Sequence, residues 1–594
     1  MHEWLHIFFF NVTLQNIYIY IMKKILYFWL VVFSIITYKA QTTTWNGTSW
    51  SNGVPSSTKD AIIASDYSQS ANLAVKNMTI NSGKNFTLKS NFQVIVYGSV
   101  VNNGNLIVES NASFVHRDNA STYSGSGTAF VKREANLKRN DYNYWSSPVA
   151  NQNIYNFSIG TPARYFFKYK EKDDRFYANE ITANSTFELG TGYAIRGKDS
   201  YTLETPTTET FLFSGIPNNG TYSKVLQRSV GSDKGYNLIG NPYPSNFNLA
   251  AFAKAATNRN SLVGKFWFWS NINQVTSQQG SSYAGNNYAT YVVDVGGIGP
   301  TYVSGSTEEI ALRPTGTARV AQGFMVQAKY NNAPIYFTNT MRATTNGGAI
   351  FYNKTNEGDD NGEDEPQEPE PIIDRYWLKL INPDNIANNI LIAHIAEATN
   401  NYDEDYDAAL FAMGNDTFYS AVGSNKLQIQ ARALPISDSD VIPLAYKTSK
   451  AGNCIIALND KDGIFKDSNK AIYLKDKVTG TVTNLQEGYY TFNSEVLTTP
   501  NDSRFEILYT NGVLAAGAVT KEDLLVYKQN ETLVIKNNFN ISKAELYDAS
   551  GKLMTSLSGN NTKEIKLSTI GFVKGIYILK ITSEKGITAK KVIL

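Results

Sequence analysis

The first residues whose types and spacing suggest chemistry are His2-Glu3-Trp4-Leu5-His6. Two histidines one helical turn apart can hold zinc while the glutamate between them serves as a general base. Such a site needs a rigid helix and a third ligand from a folded domain. This pentad instead precedes a segment with the features of a cleaved leader, so a metalloprotease is set aside. Past that leader, only His116 and His394 are left for a Ser-His-Asp triad, and no Gly-x-Ser-x-Gly elbow supplies a nucleophile. His116 stands at a strand end before Arg117 and Asp118, and His394 lies in the strand-like run Leu391-Ile392-Ala393-His394-Ile395. The single cysteine, Cys454, sits in the apolar run Cys454-Ile455-Ile456-Ala457-Leu458 and reads as a small buried hydrophobe. One cysteine excludes an internal disulfide and Cys-x-x-Cys zinc or redox sites. Phosphate-cradling and dinucleotide fingerprints are absent as well. Paired carboxylates for glycoside hydrolysis leave no mark in a sequence, so an extracellular carbohydrate-active enzyme, hydrolase or lyase, stands as the alternative to a non-catalytic role.

Two further groups of residues suggest binding. Asp403, Asp405 and Asp407 alternate along Tyr402-Asp403-Glu404-Asp405-Tyr406-Asp407-Ala408 and offer oxygen ligands to calcium if a loop brings them together; as strand neighbours they line a solvated face instead. No other cofactor is implied. In Phe266-Trp267-Phe268-Trp269 the period of two sends one pair of rings inward, and Trp267 and Trp269 are the pair expected outside, as a stacking platform for sugar rings. The chain carries 54 Lys+Arg against 52 Asp+Glu, a formal net charge of +2, which gives no reason to expect nucleic acid. Aromatic residues reach 13% and charged residues only 18%, a composition suited to strands.

The elements that must position these residues follow in tandem. Met22-Lys23-Lys24, the apolar run Ile25 to Ile36 and Tyr38-Lys39-Ala40-Gln41 have the charged, hydrophobic and cleavage regions of a secretory signal peptide. Residues 1–40 are thus read as an over-long start plus a signal peptide cut after Ala40, with Met22 the true initiator. The apolar run is too short for a permanent membrane span. Residues 41–128 hold short alternating apolar runs (Leu73/Val75, Met78/Ile80, Phe86/Leu88, Leu106/Val108) between Asn- and Gly-rich turns, which predicts a short parallel β-helix in preference to an antiparallel meander. Residues 129–350 read as an aromatic-rich β domain. Residues 351–372 form a linker: eight acids and three prolines between Glu357 and Pro371 repel one another and bury nothing. A β-sandwich over 373–511, a second linker over 512–523 and a compact sandwich over 524–594 complete an all-β chain of several tandem modules.

Three segments of the aromatic region, Gly235-Tyr236-Asn237-Leu238-Ile239-Gly240-Asn241-Pro242-Tyr243-Pro244-Ser245, Gly192-Tyr193-Ala194-Ile195-Arg196 and Gln322-Gly323-Phe324-Met325-Val326, resemble a region common in exported proteins of gliding, flavobacterium-like bacteria (Bacteroidetes). The most specific resemblance lies at the end. The turn built on Tyr547, Asp548, Gly551 and Lys552, the strand Gly575-Ile576-Tyr577-Ile578-Leu579 and the terminal Lys590-Lys591-Val592 look like the type A C-terminal sorting domain of the type IX secretion system. The resemblance implies an immunoglobulin-like sandwich that addresses the protein to that machinery at the outer membrane. The combined expectation is a secreted or cell-surface, non-catalytic adhesion or binding protein. Its partners would be the secretion machinery and an extracellular polysaccharide or surface glycan.

Overall fold

The computed structural model describes residues 22–24, 41–231, 234–271, 287–305, 312–343, 373–410, 414–466, 470–510, 524–529, 531–548 and 551–594. The His2–His6 pentad, nearly all of the leader, the acidic linker and the 512–523 linker lie outside the described residues. The chain divides into two compact units, one of residues 1–435, 446–463 and 491–501, the other of residues 436–445, 464–490 and 502–594.

The first unit begins as a parallel solenoid. Its strands are β1 (Gln41–Trp45), β2 (Lys59–Ile63), β3 (Tyr67–Gln69), β4 (Leu73–Val75), β5 (Met78–Ile80), β6 (Asn85–Leu88), β7 (Gln93–Val96), β8 (Val100–Asn102), β9 (Asn105–Val108), β10 (Ser113–His116), β11 (Tyr123–Ser124) and β12 (Thr128–Leu137). They stack as three parallel walls, β1-β2-β5-β8-β11, β4-β7-β10 and β3-β6-β9-β12 within a longer sheet. Parallel register stacks the inward side chains of successive coils in columns. Leu73, Val94 and Phe114 stack in one column, and Val75, Val96 and His116 in another. The Asn-rich turns are the corners: the Asn102 side chain accepts the Gly104 N–H at 3.1 Å and donates to Tyr123 Oη at 3.0 Å. Gly104 has no substitute there, because a Cβ would lie 2.2 Å from the Lys84 carbonyl oxygen. The predicted β-helix is therefore present, and the meander is not.

β12 ends the solenoid by pairing antiparallel with Thr207–Gly215, which hands the chain to antiparallel sheets. The aromatic region centres on a five-stranded sheet in the order Tyr236–Gly240, Gly323–Ala328, Leu262–Trp269, Tyr288–Val292, Gly296–Ile298. One face buries Phe266, Phe268, Phe324 and Val326 against the short helix Leu249–Lys254 and the strand Ala333–Phe337. The other face carries Leu238, Trp267 and Met325, with Tyr236, Trp269 and Tyr288 partly buried beside them. A smaller sheet, Tyr142–Trp145, Tyr193–Arg196, Phe166–Lys170, Arg175–Tyr177, contributes Tyr142, Tyr144, Phe167 and Phe176 to that second cluster. Arg342, fully buried, stitches solenoid to aromatic region by donating to the Phe114 carbonyl at 2.6 Å and to Ser245 Oγ at 3.0 Å. Burial lowers its pKa to about 9.

Within the same unit the strand Asp374–Ile381 pairs with Ile386–Ile395 on one side and Gly452–Asp462 on the other. Trp377 donates from Nε1 to the Gly297 carbonyl at 2.9 Å, with the Arg313 guanidinium 4.0 Å above its ring. In the second unit, Tyr473–Asp476 pairs with Val482–Asn484 and with Asn501–Leu508. The C-terminal sandwich of that unit is built on two long strands, Thr532–Asp548 and Leu553–Ser568, whose register breaks between Lys536 and Ile541. The register shifts again between Ile541 and Lys543, and Gly559 sits at that second shift, where a Cβ would come 2.1 Å from the Ile541 carbonyl oxygen. Leu533, Ile535, Leu546, Leu579 and Ile581 fill the core.

Candidate functional site

The expectation of two outward tryptophans is corrected by the structure. Trp267 and Trp269 do share a face, as the period of two requires. Trp267, however, is only 3% exposed, packed edge-on against Tyr236 with ring centroids 5.3 Å apart and enclosed by Leu238 and Met325. Period fixes which residues point the same way; it does not say that strands from elsewhere in the chain cover one end of that face. Trp269 stays partly open. Its ring stacks on Tyr144 at 6.1 Å and meets Tyr288 edge-on at 5.3 Å, and its Nε1 donates to Asn271 Oδ1 at 3.0 Å. The Tyr144 and Tyr288 hydroxyls lie 2.7 Å apart, and Phe176 flanks Tyr144 at 5.8 Å. The result is a fixed group of rings, Trp269, Tyr288 and Phe176, each partly buried.

The same cluster borders a cavity of about 490 Å³ that shares Tyr169 and Leu238 with it. The strand Phe166–Lys170 brings Lys168 to the cavity, Tyr222–Leu226 brings Lys224, and Glu188 and Thr191 come from the turn ahead of Tyr193–Arg196. Lys168 Nζ lies 2.5 Å from Glu188 Oε1, and Lys224 Nζ donates to Thr191 Oγ1 at 2.7 Å. Burial pulls the Lys224 pKa below the usual lysine value, against the opposing pull of Glu188 and with a contribution from Lys168. The second acid of the lining, Glu171, has its carboxylate turned on protein donors: Ser229 N at 2.9 Å, Ser229 Oγ at 2.7 Å and Gly235 N at 2.7 Å. Burial alone would raise its pKa; those donors outweigh burial and hold it below the ordinary carboxylate range. Tyr169 donates to Asp174 Oδ1 at 2.5 Å, and burial together with that bond keeps its hydroxyl protonated. Sequence reasoning missed Lys168, Glu188, Thr191 and Lys224. The one trace of them was a lysine set among rings in Tyr165-Phe166-Phe167-Lys168-Tyr169.

The three aspartates do not converge, and among the described residues no group of acids, histidines or cysteines is placed to hold a metal ion. Asp403 accepts from Thr399 N at 2.6 Å and Thr399 Oγ1 at 3.1 Å. Asp407 accepts from Asp403 N and Ala431 N, both at 2.8 Å, while Asp405 pairs with Lys329 at 3.0 Å. The reading of a shared calcium site is thereby corrected: each carboxylate has a different protein partner, and the loop turns Asp407 inward. Asp407 is wholly buried, and burial pushes its pKa up to about 6.

His116 is buried between Phe114, whose ring is 5.5 Å away, and Tyr123, at 6.3 Å; burial first and Arg342 second push its pKa well down. His394 is buried with Nδ1 3.3 Å from the Ala433 carbonyl, and Cys454 is buried.

In the C-terminal sandwich Asp548 Oδ1 accepts the Lys552 N–H at 3.0 Å, and Gly551 has φ of 83°. Gly575 and Leu594 exchange backbone hydrogen bonds at 3.2 and 3.1 Å. Tyr577 is buried and donates to the Val573 carbonyl at 2.9 Å, whereas Lys590 and Lys591 are exposed on the last strand.

By fold, this is an all-β protein of tandem modules in which a parallel solenoid leads into antiparallel sheets. The chain belongs to the family defined by a domain of unknown function, DUF8693, whose model matches residues 37–509, and a second domain of unknown function, DUF8694, matches residues 515–594. No curated protein matches it. Among solved structures it is similar to the central fibronectin-III array of RIM-binding protein at 8% identity. That match covers 38% of this chain and 89% of the other, with a TM-score of 0.10. Among the described residues no helix is long and apolar enough to cross a membrane.

Proposed function

We propose that this chain is a secreted or cell-surface binding protein without catalytic activity that engages polysaccharide through the Trp269, Tyr288 and Phe176 rings and the adjoining cavity. The observation that carries this reading is the cluster itself: partly open aromatic rings held by ring contacts and, for Trp269 and Tyr288, by hydrogen bonds, beside a cavity lined by ammonium, hydroxyl, amide and apolar groups. Pyranose rings have apolar faces that stack on such rings and hydroxyls that need paired donors and acceptors. Export by the type IX system belongs to the same proposal and rests on the resemblance of the C-terminal turn and strands to a sorting domain. The test is to mix the full chain with insoluble algal, plant and bacterial polysaccharides and to follow both retention on the solid and soluble oligosaccharide by mass spectrometry. Retention without release is expected. Release of oligosaccharide would replace this reading with a carbohydrate-active enzyme.

A further inference from the structure

We infer that the cavity beside the aromatic cluster is a subsite for an acidic sugar residue, whose carboxylate or sulfate is held between Lys168 and Lys224. The inference rests on the polysaccharide reading above and adds the charge of the ligand.

The charge balance of the cavity carries it. Lysines 168, 170, 172 and 224 line it, against Glu171 and Glu188. Glu171 keeps its charge, but its oxygens are occupied by the Ser229 and Gly235 donors, and Lys170 is paired with Glu180 at 2.7 Å. Glu188, paired with Lys168, is the acid that acts on Lys224, and exposed Lys172 adds a further cation to the lining. Lys224 spends one N–H on Thr191, and an ammonium has three to give. Burial disfavours its charged form, and an anion entering the cavity offsets that cost as well as accepting hydrogen bonds. Leu238, Val225 and Tyr169 also line it and offer an apolar surface for the ring that bears the acid. A volume of about 490 Å³ suits one or two sugar units.

The test uses the full chain and affinity electrophoresis through gels holding dextran, dextran sulfate or polygalacturonate. Dextran and dextran sulfate share a backbone, so their difference reads sulfate, and polygalacturonate reads carboxylate. Stronger retardation by one or both acidic polymers is expected. Lys224→Met and Lys168→Gln should each weaken it at least about tenfold, the scale of one charge-assisted hydrogen bond. Lys224→Arg should keep most of the binding, and Lys76→Gln, at an exposed solenoid position, should leave it unchanged. Circular dichroism and the thermal midpoint verify that each variant is folded. Retardation within twofold of the wild type for both Lys224→Met and Lys168→Gln overturns the inference, as does equal loss in Lys76→Gln. Binding to neutral polysaccharide with no preference for acid defeats this inference and leaves the polysaccharide reading standing; binding to no polysaccharide of any charge defeats both.

Discussion

The Arg504 guanidinium meets the Asp476 carboxylate at 2.8 Å, and no part of that carboxylate reaches solvent. Tyr490 Oη donates to the same carboxylate at 2.7 Å and Val478 N at 2.9 Å. Burial by itself would raise the Asp476 pKa; the Arg504, Tyr490 and Val478 bonds overcome it and hold the group below the ordinary carboxylate range. A carboxylate depressed by folding stabilises above its unfolded pKa, about 3.9, and loses that contribution as pH falls through the lower folded value. Arg504→Met strands a buried charge and should cost about 3–5 kcal/mol at neutral pH, while Asp476→Asn combined with Arg504→Met should recover part of it. Denaturant unfolding measures both; a single-variant loss under about 1 kcal/mol would contradict the account.

Asp407 has the opposite sign. Its pKa rises to about 6 because it is buried, so the folded state holds a proton that the unfolded chain has already released. Stability contributed at this site therefore falls as pH climbs from about 4 to 6. Asp141 is also raised by burial to about 6, so the informative quantity is a difference between proteins. The gap in thermal midpoint between wild type and Asp407→Asn should narrow as pH rises through that window. A gap independent of pH would show that Asp407 does not titrate there.

Calcium should leave the thermal midpoint unchanged, because Asp403, Asp405 and Asp407 are each committed to a different partner. Tight binding to a native site raises stability by mass action. A midpoint that climbs with calcium and falls back with chelator would mean that these carboxylates rearrange to share an ion.

Gly104→Ala should lower the midpoint sharply, because the added Cβ meets the Lys84 carbonyl at 2.2 Å and no rotamer change relieves a backbone clash. Gly488→Ala has open space around it and is the control. Equal effects from the two would contradict the tight solenoid corner.

Much of the architecture was legible in the residues, and the reasons are local. Alternation along Met78/Ile80, Phe86/Leu88 and Val94/Val96 sets which side chains point inward, and Asn and Gly mark the corners between them. The sites were less legible because they depend on what packs against a face. Trp267 and Trp269 are equivalent by period, yet strands such as Tyr142–Trp145 and Phe166–Lys170, distant in sequence, help bury one and leave the other partly open. Asp403 and Asp407 look like alternate ligands until the loop turns Asp407 inward, toward the N–H groups of Asp403 and Ala431. Lys168 and Lys224 come from separate sheets, and no local pattern announces their meeting.

The central claim is that the open rings bind polysaccharide, and Trp269→Ala tests it most directly. Trp269 makes its contacts at the partly open edge of the cluster, so the fold should survive its loss. With far-ultraviolet circular dichroism unchanged, retention on a polysaccharide that holds the wild type should drop by about tenfold or more, the contribution of one stacked ring. Undiminished retention by a folded Trp269→Ala protein would contradict the account.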